Sequence, residues 1–116
     1  MPADTLSRVF TALADPTRRD IVARLSVADA TVNQLAEPYQ ISVQAVYKHL
    51  RVLEEAGMVR RLRGPQPRPV HLETGALDLL DEWLEQYRRK AEHRYQRLDR
   101  VLTGMGEADE HREPQA

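Results

Sequence analysis

The chain has 116 residues, enough for one ordinary domain. Hydrophobic residues make up 41% of it and charged residues 30%, so the core is modest and burial against a second copy is attractive. No run of about 18 apolar residues spans a membrane, and the start, MPADTLSRVF, lacks the pattern of a secretion signal. The absence of cysteine excludes disulfides, thiolate chemistry and Cys-based metal sites, and a cytoplasmic location is expected.

The net charge of −1 conceals an uneven distribution. Residues 42–71 carry Lys48, Arg51, Arg60, Arg61, Arg63 and Arg68 against Glu54 and Glu55, a local +4. The last ten residues carry a local −3. Concentrated positive charge in a balanced chain is either an electrostatic footprint for phosphate or a solvated patch, and its placement decides between them.

In chain order, Asp4 caps a first helix with apolar positions Leu6, Val9, Phe10 and Leu13. Asp15-Pro16 opens a second, to about Leu25, that buries Ile21, Val22 and Leu25. A polar linker, Ser26 to Ala30, leads to Thr31 and Gln34 at capping-box spacing, so a short third helix begins there and buries Leu35; Pro38 ends it. Ser42 caps a fourth helix anchored by Val46, Leu50 and Leu53, with Gly57 as its stop. Two β segments follow, Met58–Arg63 and Pro69–Glu73, joined by a Gly/Pro turn into a hairpin. From Gly75 to about Thr103 the apolar spacing predicts one long helix, with Leu77, Leu80, Leu84, Tyr87, Ala91, Tyr95, Leu98 and Leu102 at threes and fours. Its first half is acidic and its second basic, as the helix dipole favours. Gly104-Met105-Gly106 is expected to end it, which makes residues 1–104 one domain and 105–116 a disordered acidic tail.

Two short helices about four residues apart, followed by a β-hairpin, spell a winged helix-turn-helix: a mainly α fold with a small hairpin and a long C-terminal dimerisation helix. The helix opened by Ser42 has one stripe for anchoring and another, Gln44, Tyr47, Lys48 and Arg51, that suits a major groove. Ser42 also places N–H groups and a positive dipole end toward phosphate. Arg60, Arg61, Arg63 and Arg68 on the hairpin suit phosphate or minor-groove contact. Tyr47 is open to two readings, packing against a neighbouring side chain or touching DNA. His49 reads as a packed core-edge histidine, and Trp83 as part of the long helix's packing. That helix's stripe is a candidate dimer seam, with Leu6, Val9 and Phe10 beside it.

The stretches Leu13-Ala14-Asp15-Pro16-Thr17-Arg18-Arg19-Asp20-Ile21 and Lys48-His49-Leu50-Arg51-Val52-Leu53-Glu54-Glu55-Ala56-Gly57-Met58-Val59, in this order and spacing, resemble the ArsR (arsenic-repressor-like) family over roughly residues 5–103. The resemblance implies a dimeric transcriptional regulator, typically a repressor, that pairs through its first and last helices and binds double-stranded DNA at an inverted-repeat operator. It assigns recognition contacts to Val43, Gln44, Tyr47 and Lys48, and phosphate contact to Arg51. Wing contacts fall to the four hairpin arginines, and secondary backbone contacts to Thr17 and Arg18. Two departures matter. Val32-Asn33-Gln34 stands where many members carry Cys-x-Cys, and Tyr47 stands where members carry a small Ser. His71, Asp78, Asp81, Glu92 and His93 lack the family's ligand spacing, so neither metal nor cofactor is expected and the chain resembles the metal-independent branch; an effector of unidentified chemistry stays open.

Rival classes leave weaker traces. Phosphate loops, Rossmann glycines, zinc-protease motifs and nucleophile elbows are absent, so no enzyme is expected. An interaction module that uses the long helix without DNA is the remaining alternative.

Overall fold

The computed structural model describes residues 4–112, of which 107–112 along the backbone only. Their elements are α1 (Thr5–Leu13), α2 (Pro16–Leu25), α3 (Val32–Ala36), α4 (Val43–Glu55), β1 (Val59–Arg61), β2 (Val70–Leu72) and α5 (Gly75–Arg112). The first four helices each begin where a short polar side chain accepts a bond from an N–H that the helix cannot satisfy itself. Asp4 takes the N–H of Ser7 at 2.7 Å and Asp15 that of Arg18 at 3.0 Å. Ser42 Oγ takes the N–H of Ala45 at 3.1 Å. At α3 the cap is reciprocal: Thr31 Oγ1 accepts from Gln34 N at 3.2 Å while Gln34 Oε1 accepts from Thr31 N at 2.8 Å.

The end of α4 is equally determined. Gly57 adopts φ +73°, a conformation that L side chains rarely take. The reversal lets its N–H reach Glu54 O at 2.9 Å and the Met58 N–H reach Leu53 O at 2.9 Å, the paired bonds of a Schellman stop. Met58 and Leu53 are both fully buried there, so the chain leaves α4 and enters the hairpin with no exposed apolar joint.

Arginines close the joints between the helices. Arg18 donates from Nε to Ala12 O at 2.7 Å and from Nη2 to Thr11 O at 3.0 Å; Arg19 Nη1 donates to Leu13 O at 2.7 Å. Together they satisfy the carbonyls at the end of α1. Arg24 does the same for α3, donating to Leu35 O and Gln34 O at 2.9 Å each, and lies over the Tyr39 ring. Burial and a hydrogen bond donated to Asp20 push the Tyr39 phenol above its usual pKa.

One core collects these elements. Val9 and Ala12 of α1 meet Ile21 and Leu25 of α2, Val32, Leu35 and Ala36 of α3, and Val46, Leu50 and Leu53 of α4. Met58, Val59, Val70, Leu72 and Ala76 complete it, with Leu13, Leu77 and Leu80 partly buried against it. No charged or polar side chain is buried among the described residues. The hairpin is antiparallel, with Val59 opposite Leu72, Arg60 opposite His71 and Arg61 opposite Val70. Its regular strands are shorter than the expected 58–63 and 69–73, although bonds continue beyond them, from Leu62 N–H to Pro69 O at 2.9 Å and from Glu73 N–H to Met58 O at 2.8 Å; Pro69 has no N–H to return one. On its other side Val70 exchanges two bonds with Ala30, at 2.7 and 3.3 Å, so the linker after α2 adds a third, one-residue rung. Nothing in that polar linker foretold the rung.

The chain divides into two units, one ending at Leu80 and one beginning at Asp81. The second is helical through Arg112, so the expected stop at Gly104-Met105-Gly106 is not made. Each glycine costs about 1 kcal/mol in a helix interior, but extending an existing helix avoids the nucleation cost, and Glu107, Ala108 and Glu110 are tolerant helix formers. The expected tail from residue 105 is therefore helical to 112; residues 113–116 lie outside the described part. Arg88 pairs with Asp81 and Glu85, and Arg89 with Glu85, at 3.4–3.8 Å on this helix. Trp83 and Tyr87 meet edge to face, 4.9 Å between ring centroids. Among the described residues no helix is long and apolar enough to cross a membrane.

Two expectations follow. Leu50→Ala, at the fully enclosed centre of α4's apolar stripe, is expected to lower unfolding free energy by about 2–5 kcal/mol, read by urea denaturation. The caps make stability acid-sensitive. Bonds from Ser7 hold the Asp4 carboxyl below its ordinary pKa, and the Arg18 N–H chiefly does the same for Asp15. The unfolded chain thus takes up protons first as pH falls, so the caps' contribution is full above the ordinary carboxylate range and is lost as pH falls through and below it. Asp15→Asn, which keeps the cap without the titration, is expected to flatten that decline in melting temperature.

Candidate nucleic-acid interface

The geometry of α4 follows from its apolar stripe. Val46, Leu50 and Leu53 have no solvent-accessible surface, so the rotation of the helix about its axis is set by the core. That rotation leaves Val43, Gln44, Tyr47, Lys48 and Arg51 exposed on the other side. The Ser42 cap spends one acceptor on Ala45 N and leaves the N–H groups of Val43 and Gln44 at the positive end of the helix.

The hairpin follows directly on α4 and brings its arginines alongside. A cleft of about 350 Å³ is lined by Tyr47, Lys48 and Arg51 from α4 and Arg61 from β1. A second hollow, sharing Arg51 and Arg61, is lined also by Glu54, Val59 and Arg60. Recognition-helix and wing residues expected to act together are thus adjacent. They are not equivalent, however. Arg60 forms an ion pair with Glu73. Arg61 donates from Nε to Glu54 Oε1 at 2.8 Å, and its guanidinium carbon lies 4.8 Å from the centre of the Tyr47 ring. Arg63 and Arg68 lie in the exposed turn.

Other expected site residues stand elsewhere. Thr17 is half-buried in the first turn of α2. Arg18 faces inward, bonded to the end of α1, with Nη1 3.3 Å from His49 Nδ1. His49 is also 3.9 Å from Asp15 Oδ2, the packed core-edge position expected of it. The Asp-Pro-Thr-Arg-Arg stretch is therefore the corner of α1 and α2, tied across to α4. Of the expected seam residues, Val9 is wholly enclosed by its own core and has no surface to offer a partner. The reason is that α1 packs on both α2 and α4. Leu77 and Leu80 are half-buried against the same core, while Leu6 is half-buried and Phe10 is 42% exposed. On the second unit Leu84, Tyr87, Ala91, Tyr95 and Leu98 are exposed.

Glu54, in the sequence only an offsetting charge, lies beside the cleft and accepts from Arg61. Its position seven after Tyr47, two turns along one face, was the available signal. The Asp29–His71 bond at 2.8 Å was likewise invisible, because 42 residues separate the pair. Among the described residues no three His, Asp or Glu side chains converge as a metal site.

Comparison with known proteins agrees with this geometry. The family model of a helix-turn-helix domain matches residues 13–61, from the end of α1 through β1. The chain is 31% identical over 88 residues to the transcriptional repressor SdpR of Bacillus subtilis (strain 168), spanning 76% of this chain and 98% of that protein. Among solved structures, the crystal structure of an ArsR family transcriptional regulator superposes with a TM-score of 0.73 at 34% identity, over 77% of this chain and 98% of that one. The homodimeric winged helix-turn-helix DNA-binding domain Mb0332 from Mycobacterium bovis shares the fold at 21% identity, with a TM-score of 0.60 over 78% of this chain and 84% of that one. A core-seated α4 beside a basic hairpin, matched along nearly the full length of such relatives, places the chain in the ArsR family of helix-turn-helix transcriptional regulators.

Proposed function

We propose that the protein is a dimeric repressor that binds an inverted-repeat operator by placing α4 of each protomer in the major groove. The observation that carries this reading is the division of α4. Three fully buried anchors hold the helix, and Gln44, Tyr47, Lys48 and Arg51 stand on the face opposite. Gln and Lys suit adenine and guanine edges, and Arg51 at the cleft suits phosphate. Arg63 and Arg68 at the tip of the hairpin supply wing contacts to the backbone or minor groove. Arg18 acts behind the interface, bracing the α1–α2 corner that α4 packs on. Repression is supported by the relationship to SdpR, a repressor.

Dimerisation is supported by surface chemistry and by the homodimeric Mycobacterium bovis structure. On α5, Tyr87, Tyr95, Leu98 and Leu102 are 48–66% exposed at successive steps of eight, three and four residues, an apolar row on one side of the helix that favours a covering partner. On the first unit, Phe10 is the exposed apolar residue of α1. Two linked recognition helices about 34 Å apart on one duplex face turn two weak contacts into one strong one.

Selection from random duplexes is expected to return an inverted repeat; failure to enrich any sequence at low salt overturns the reading. Within that repeat, Lys48→Ala is expected to cost about 1–3 kcal/mol of base discrimination, whereas Arg63→Ala weakens all sequences alike and lowers the salt slope by about 1. Leu98→Glu is expected to yield monomers by sedimentation and to weaken operator binding about 10²-fold or more; an unchanged dimer would move the seam elsewhere.

A further inference from the structure

Tyr47 sits on the exposed face of α4 with 42% of its surface accessible, yet it is not a loose side chain. The Arg61 guanidinium lies over its ring, 4.8 Å from the centroid, and is itself bonded at Nε to Glu54 at 2.8 Å. Tyr47 and Glu54 are seven residues apart, about 10.5 Å along one face of the helix. One arginine from β1 therefore spans two turns of α4, stacking on Tyr47 at one end and donating to the Glu54 carboxylate at the other. Only a guanidinium can do both: its planar face serves the ring while its in-plane N–H serves the carboxylate.

This geometry conflicts with use of Arg61 as a phosphate-neutralising cation. Glu54 offsets its charge, and a phosphate brought to Arg61 would also meet the Glu54 carboxylate. A tyrosine held in one orientation before DNA arrives, by contrast, loses less freedom on binding and reads a base edge in a fixed position. We propose that Glu54, Arg61 and Tyr47 form a clamp in which Arg61 is a positioning residue for Tyr47, and that Tyr47 so held determines the base preferred at one position of each half-site. This rests on the DNA-reading role of α4 proposed above.

The test uses the full chain and the duplex selection, followed by salt titration of the selected site. Tyr47→Leu, Arg61→Ala and Arg61→Lys are all expected to relax preference at the same single half-site position, by about 5-fold to 150-fold. The lysine variant keeps the charge, so a phosphate role predicts that it rescues and the clamp predicts that it does not. The salt slope is expected to stay at the wild-type value for both Arg61 variants. A slope lowered by about 0.9 per protomer with base preference intact would make Arg61 a phosphate contact and overturn the clamp. Loss of preference in Tyr47→Leu alone would also overturn it, since Tyr47 would then read unaided. If the wild type selects no sequence, the DNA reading itself fails and takes this proposal with it. Independently of DNA and of how Arg61 variants fold, the Arg61 Nε–H resonance is expected to shift in both Tyr47→Leu and Glu54→Ala; an unmoved resonance means there is no clamp.

Discussion

The structure depends on how firmly α4 is held. A helix can present four side chains to a ligand in a defined orientation only if something else fixes its rotation and tilt. Here Val46, Leu50 and Leu53 do so by complete burial, reinforced at one end by the Ser42 cap and at the other by the Gly57 reversal. Each remaining element is accountable to that task. α1 and α2 supply the floor on which α4 rests, α3 holds its approach, and the hairpin begins where the Schellman stop releases the chain. The absence of buried polar groups among the described residues means that this orientation is decided by packing, which is steep and short-ranged.

Arginine shows why a charge count is a poor guide to function. The chain uses this residue in three ways. Arg18, Arg19 and Arg24 spend their donors on carbonyls at helix ends, work that a fork of fixed geometry does well. Arg60 and Arg61 are paired with Glu73 and Glu54. Arg51, Arg63 and Arg68, with Lys48 beside them, are exposed around the cleft and the turn. A local excess of +4 over residues 42–71 is thus correct as arithmetic but does not tell which charges a partner would meet.

The second unit poses the opposite situation. From Asp81 the helix carries ion pairs between its acidic and basic halves and an aromatic contact between Trp83 and Tyr87, while its apolar row is left accessible. Exposed ion pairs of this kind contribute about 0.3–0.5 kcal/mol each, small beside the covering of several large apolar side chains. The economy of the chain, with a small core and a long amphipathic helix, makes sense for a protomer that completes itself against a copy.

Much of this was legible without coordinates. Helix starts at Asp4, Asp15, Thr31 and Ser42, the stop at Gly57, and the anchors Ile21, Leu35, Val46, Leu50 and Leu53 depend on spacings of three and four residues, and local periodicity reports such spacings directly. The end of α5 is not legible in this way, because two glycines are strong stop signals in isolation but weak against the continuation of an established helix. What only the tertiary structure decided are pairings between residues far apart in the chain: Ala30 with Val70, Arg18 with His49, Asp29 with His71, and the enclosure of Val9. Even Arg61 with Glu54 and Tyr47 depended on the reversal at Gly57 folding β1 back along α4. Such contacts arise from where separately formed elements dock, and one-dimensional periodicity carries no record of that.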